Sequence, residues 1–100
     1  MAKGYWVAHV DVSNPDGYRA YMEANGAVFH KWGAKFVVRA GRSEVVEGAL
    51  RSRHVVMEFK DYATALACYR SPEYAKAAKL RKGSALADII VIEGYDGAPP

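Results

Sequence analysis

One hundred residues carry 14 Lys and Arg against 11 Asp and Glu, a formal net charge of +3 at pH 7, and 51% of them are hydrophobic. That length holds one core-forming domain rather than two, and so mild a positive balance falls short of the basic, aromatic-rich stripe that nucleic-acid binding calls for. No apolar run approaches a membrane span, Met1-Ala2-Lys3-Gly4 has no signal-peptide core, and a cytoplasmic location is expected.

In chain order the apolar period reads strand, helix, strand, strand, helix, strand. Residues 5–12 alternate, with Trp6, Ala8, Val10 and Val12 on one side and Tyr5, Val7, His9 and Asp11 on the other. Asn14-Pro15-Asp16 is a helix start: a capping Asn, Pro at the first position and an acid in the first turn. Tyr18, Tyr21, Met22, Asn25, Val28, Phe29 and Trp32 then fall on one stripe, and Gly33 ends the helix. Asn25-Gly26 also favours a hairpin turn, but its flanks do not alternate, so the helix runs through it. Gly26 costs that helix about 1 kcal/mol relative to Ala. Close approach of helix to sheet would compensate, or a ligand in the gap.

Lys35–Arg39 and residues 54–59 read as the second and third strands. Between them, residues 40–53 hold Gly41, Gly48 and Glu44-Val45-Val46-Glu47, a hairpin extension or arm beyond the sheet. Asp61 caps a helix to about Tyr69, and Ser71-Pro72-Glu73 caps another. Pro72 drives Ser71 out of helical backbone, so the region breaks in two. Leu66, Tyr69, Tyr74, Ala77, Ala78 and Arg81 would line its inner side, and Gly83 ends it. Residues 88–93 are the fourth strand. A single domain over 1–95 and an irregular tail over 96–100 are expected.

This order is the α+β, ferredoxin-like split β-α-β arrangement, βαββαβ, with the second helix broken. The third strand divides into Val55, Met57 and Phe59 against His54, Val56 and Glu58, and the fourth into Ile89 and Val91 against Asp88, Ile90 and Ile92. The purely apolar set should meet the helices. The mixed set leaves Val7, Val56, Ile90 and Ile92 outside, at roughly 25 cal/mol for each Å² of apolar surface left wet. A second copy on a two-fold axis covers such a face, so a homodimer through the sheet faces is expected.

His9 and Glu58 fall on neighbouring central strands of this topology, on the mixed face. An imidazole beside a carboxylate is a general acid–base pair; the same two residues equally make an interfacial hydrogen bond that catalyses nothing. Arg39, Arg42, Arg51, Arg53 and His54 gather about the arm. Guanidinium forks bind carboxylates and phosphates, which makes Arg39 a candidate ligand contact; solvated pairing with Glu44 and Glu47 is the alternative. Between helices and sheet, Tyr21, Asn25, Tyr69, Tyr74 and Arg81 would bound a small pocket, because Asn25 and Arg81 interrupt apolar stripes where polar groups need partners. A closed core in which they bond backbone and tyrosines is the competing arrangement. Lys76, Lys79, Arg81 and Lys82 read as a solvated helix face. The single Cys68 excludes an intrachain disulfide and reads as a buried thiol. His9, His30 and His54 share no ligand spacing, and no metal is expected.

Tyr5-Trp6-Val7-Ala8-His9-Val10, Arg39-Ala40-Gly41-Arg42, Glu47-Gly48, Arg53-His54-Val55-Val56-Met57-Glu58-Phe59 and Ala65-x-x-Cys68-Tyr69-x-Ser71-Pro72-Glu73-Tyr74 resemble the domain of unknown function 1330 family. The resemblance covers nearly the whole chain. It implies a dimeric α/β barrel, two ferredoxin-like sheets packed face to face, and carries no established activity. The wider superfamily includes small monooxygenases, haem-degrading enzymes, lactone isomerases and ligand-binding modules, and fold alone does not choose among them. A haem-degrading relative would present a His on the second helical region; residues 62–82 contain none, and no cofactor is expected. Two functions stand: binding or converting a small apolar organic molecule without a cofactor, or a non-catalytic dimeric binding or stress-related module.

Overall fold

The computed structural model describes residues 2–100. Its elements run β1 (Gly4–Val12), α1 (Pro15–Lys31), β2 (Lys35–Arg39), β3 (Arg53–Phe59), α2 (Tyr62–Tyr69), α3 (Pro72–Arg81) and β4 (Ala85–Glu93). The strands make one antiparallel sheet in the order β2-β3-β1-β4. With helices on one face only, this is the ferredoxin-like α+β fold, 17 Å through its thinnest axis. Among the described residues no helix is long and apolar enough to cross a membrane.

Local chemistry sets the helix ends. The Asn14 side chain accepts from the Gly17 N–H, Asp61 from Thr64 and Ser71 from Tyr74. Each satisfies a donor that the first helical turn leaves orphaned. At the far end of α1, Gly33 takes φ +71° while Ala34 N–H reaches Phe29 O at 3.0 Å, a glycine-closed Schellman cap. Pro72 opens α3 directly after the Ser71 cap, which is why the second helical region is two pieces.

Side chains cross the sheet in rows. Facing the helices, Phe36, Met57, Trp6 and Val91 form one row, and Arg39, Val55, Ala8 and Ile89 the next. Trp6 is the centre of the core. It is 1% exposed, donates its indole N–H to Ala65 O at 2.8 Å, and meets Phe29 and Tyr74 edge-on at 5.3 and 4.9 Å. The outward face carries an aliphatic row through all four strands, Val38, Val56, Val7 and Ile90.

Four expectations change. β4 begins at Ala85, because Ala85-Leu86-Ala87 continues the alternation opposite Val10, Asp11 and Val12. Residues 40–52 contain no strand, so the arm is an exposed loop and not a hairpin extension. It folds back through Arg51, which binds Asp11 at 3.1 Å and Asp88 at 2.9 Å rather than Glu44 or Glu47. Gly26 is exposed with nothing within 4 Å of a built Cβ, so neither sheet nor ligand explains it.

Candidate ligand-binding site

A cavity of about 40 Å³ lies between α1 and the sheet. Its floor is the small-residue part of the sheet, where Ala8 sits between Val55 and Ile89 with Val10 beyond. Its roof is the inner stripe of α1: Tyr18, Tyr21, Met22, Asn25 and Phe29. Arg81, the last residue of α3, closes one side, and Arg39 and Arg53 of the β2 and β3 strands border it as well.

Asn25 is 7% exposed and faces this space. Among the described residues its carboxamide has no protein hydrogen-bond partner. The expected pocket members Tyr21, Asn25 and Arg81 are therefore brought together, with Arg39 beside them. Two others are not among the lining residues. Tyr74 is buried behind the wall, where its hydroxyl meets Tyr21 Oη at 2.7 Å and accepts from Arg81 Nη1 at 3.0 Å. It fixes the Tyr21 and Arg81 side chains that line the cavity. Tyr69 is 42% exposed; its ring meets those of Trp6 and Tyr74 at 5.4 and 5.3 Å at the edge of the core, and it lines a separate surface depression with Tyr62, Leu66 and Arg70. Ala65 and Cys68 are the buried positions of α2. Burial pushes the Cys68 thiol up to about 12, with the Glu73 charge adding to the effect.

Arg39 reaches the cavity through a bulge. Strict alternation along β2 would put Phe36 and Arg39 on opposite faces. The register shifts between Phe36 and Val38, leaving Val37 extra, so Arg39 pairs with Val55 on the inner face. Its guanidinium lies 4.2 Å over the Phe36 ring. Bulges re-aim side chains in this way beside functional sites. The next residue, Ala40, holds φ +53°, an uncommon backbone for a non-glycine residue.

Arg53 was placed with the arm on sequence grounds; it too faces the cavity, 5.5 Å from the Tyr18 ring, with Nη2 3.7 Å from Met22 Sδ and a buried Nε that has no partner among the described residues. Its alternation with Val55 and Met57 carries the signal. Burial raises the Tyr18 pKa despite the opposing Arg53 charge, and burial raises that of Tyr74 most. Both hydroxyls keep their protons at neutral pH. Among the described residues no carboxylate, imidazole or thiol lines the cavity.

His9 and Glu58 share the outward face as expected, but not a hydrogen bond within the chain. The register sets His9 against His54, Nδ1 to Nδ1 at 2.8 Å, and Tyr5 against Glu58, 3.2 Å from hydroxyl to Oε1. Four residues of strand, roughly 13 Å, separate the two pairs. Burial and the neighbouring Glu58 raise the Tyr5 pKa.

A family model described as "Domain of unknown function (DUF1330)" matches residues 3–95. Among solved structures the chain is similar to a protein of unknown function from Rhodopseudomonas palustris, at 20% identity and TM-score 0.71, covering 96% of this chain and 85% of that one. It is similar to a cofactor-independent oxygenase from Streptomyces nogalater, at 13% identity and TM-score 0.64, covering all of both chains. A dimeric ferredoxin-like protein of unknown function from Thermobifida fusca matches at 12% identity and TM-score 0.54, covering 91% and 92%. At such identities the likeness is one of fold. A comparison with curated proteins gives no match.

Proposed function

The chain belongs to the DUF1330 family, and from its cavity we propose that it binds a small, largely apolar organic molecule between α1 and the sheet. One observation carries this reading. Asn25 is nine-tenths buried, without a hydrogen-bond partner among the described residues, and turned into a space whose wall joins apolar side chains, Trp6, Val10, Phe29, Met57 and Ile89, to the polar ends of Tyr18, Tyr21, Arg39, Arg53 and Arg81. An apolar enclosure with a few polar anchors is the ordinary form of a small-molecule site.

Binding without turnover is the reading the lining favours, because the cavity holds no carboxylate or imidazole to move a proton. Conversion without a cofactor is the second reading. Asn25 and Arg81 are donors that can stabilise negative charge developing on a substrate, and the fold is shared with the Streptomyces oxygenase. His9 and Glu58 stand apart from both readings, on the opposite face.

The same reading includes a homodimer through the outward sheet faces, in the cytoplasm. The row from Val38 to Ile90 supports it: Ile90 is 53% and Ile92 46% exposed, and a specific interface would bury about 1,200–2,000 Å² in total. A lone buried thiol suits a reducing compartment. Light scattering at micromolar concentration should give twice the chain mass; the monomer mass would refute the dimer. Indole titrated into ¹⁵N-labelled protein should shift the Asn25 carboxamide and Trp6 indole signals saturably. Unmoved signals at both groups would refute the pocket.

A further inference from the structure

Three arginines border one small cavity, and none has a carboxylate within ion-pair distance among the described residues. Asp11 and Asp88 are occupied by Arg51, Glu73 by Lys31 and Asp16 by Arg19. The partners of the three are aromatic rings and a thioether: Phe36 for Arg39, Tyr18 and Met22 for Arg53, Tyr21 for Arg81. Arg81 also donates to the Tyr74 hydroxyl. These contacts position a guanidinium without neutralising it. The Arg53 Nε–H is buried and unpaired, a costly arrangement for a charged donor unless something else accepts from it. Tyr18 and Tyr74 keep their protons, so neither supplies a negative charge as phenolate. The bulge at Val37 turns Arg39 to the helix-facing side of the sheet, where it stands exposed at the rim of the cavity.

We propose that the ligand is an apolar organic acid whose carboxylate is held by Arg39, Arg53 and Arg81 while its apolar body lies on Ala8, Val10 and Ile89 under Asn25. This rests on the cavity being a binding site and goes beyond it by naming the ligand's charge. Guanidinium forks match the flat, two-oxygen geometry of a carboxylate. The carboxamide of Asn25 completes the polar set with a donor and an acceptor. A neutral ligand would leave three like charges at the border of one cavity without a counter-charge. An aryl phosphate would bring a tetrahedral, more highly charged head into a space that is mostly apolar.

The test is calorimetry on the intact protein with three probes of one size: benzoate, benzamide and phenyl phosphate. Benzoate should bind at least tenfold more tightly than either, and should weaken as sodium chloride rises from 50 to 500 mM. Arg39→Gln and Arg53→Gln should each cut benzoate affinity about tenfold and benzamide affinity by much less, whereas Arg70→Gln, outside the cavity, should change neither. Arg39 lies on an exposed edge strand, so its variant keeps the test usable if a substitution at Arg53 or Arg81 fails to fold. Equal affinity for benzoate and benzamide would overturn the acid and leave the pocket standing. Preference for phenyl phosphate would overturn the carboxylate. No binding of any probe would overturn pocket and acid together.

Discussion

Asn25→Leu separates a ligand cavity from a closed core by the sign of its effect on stability. If the carboxamide were a bonded core group, its loss would orphan a buried partner and cost about 1–3 kcal/mol. Instead it has no hydrogen-bond partner among the described residues and is 7% exposed, in contact with the cavity. Leucine then removes an amide that keeps open contact with the cavity, so no buried partner is orphaned. It also exchanges a weaker helix former for a stronger one in the middle of α1, worth up to about 0.5 kcal/mol. The sum runs from no change to about 0.5 kcal/mol of added stability. Trp6, buried beside the cavity, reports unfolding by fluorescence in urea. The midpoint should stay or rise, with the denaturant slope unchanged, while indole and benzoate binding are lost. A fall in midpoint worth more than about 1 kcal/mol would show a satisfied core amide and refute the reasoning.

Gly26→Ala should stabilise the protein by about 0.5–1 kcal/mol, since the position is helical, exposed and open around a built Cβ; a loss of stability would reveal a contact the structure lacks. Asp11 is held below its ordinary 3.8 by the Ser52 N–H, Asp61 by the Thr64 hydroxyl and N–H, and Glu73 below 4.5 by Lys31. Depressed folded values stabilise above the unfolded ones, so the urea midpoint should fall as pH drops from about 5 through 3, and a flat profile there would contradict these pairings. Cys68, buried and with its thiol pushed up to about 12, should react with a disulfide reagent only on unfolding; prompt reaction in the native state would refute its burial.

The fold was legible because each local signal agreed with the others. Asn14, Asp61 and Ser71 cap as their residue types require, and Trp6, Ala8, Val10, Val55, Met57 and Phe59 turn toward the helices as alternation requires. Alternation has period two, however, so sliding β3 by two or four residues leaves every side chain on its own face. The faces of His9 and Glu58 were thus readable and their pairing was not, and the irregular loop over 40–52 pins no register that its sequence displays. The bulge that turns Arg39 inward was hidden by the neighbouring valines Val37 and Val38, either of which can be the extra residue. Tyr69 does turn toward Trp6 and Tyr74, but periodicity along a helix does not show how far from Asn25 that contact falls, so its absence from the cavity lining was not legible. Asn25 and Arg81 stood out for a simpler reason: a polar group on an apolar stripe must be satisfied by something.

The central claim is that the space beneath Asn25 holds an organic acid, and crystals grown with benzoate test it most directly. The account predicts density between α1 and the sheet, with the ring over Ala8 and Val10 and the carboxylate oxygens within hydrogen-bond distance of Arg39, Arg53 or Arg81. An empty cavity beside benzoate bound elsewhere, or a ring held with its carboxylate turned away from all three arginines, would contradict it.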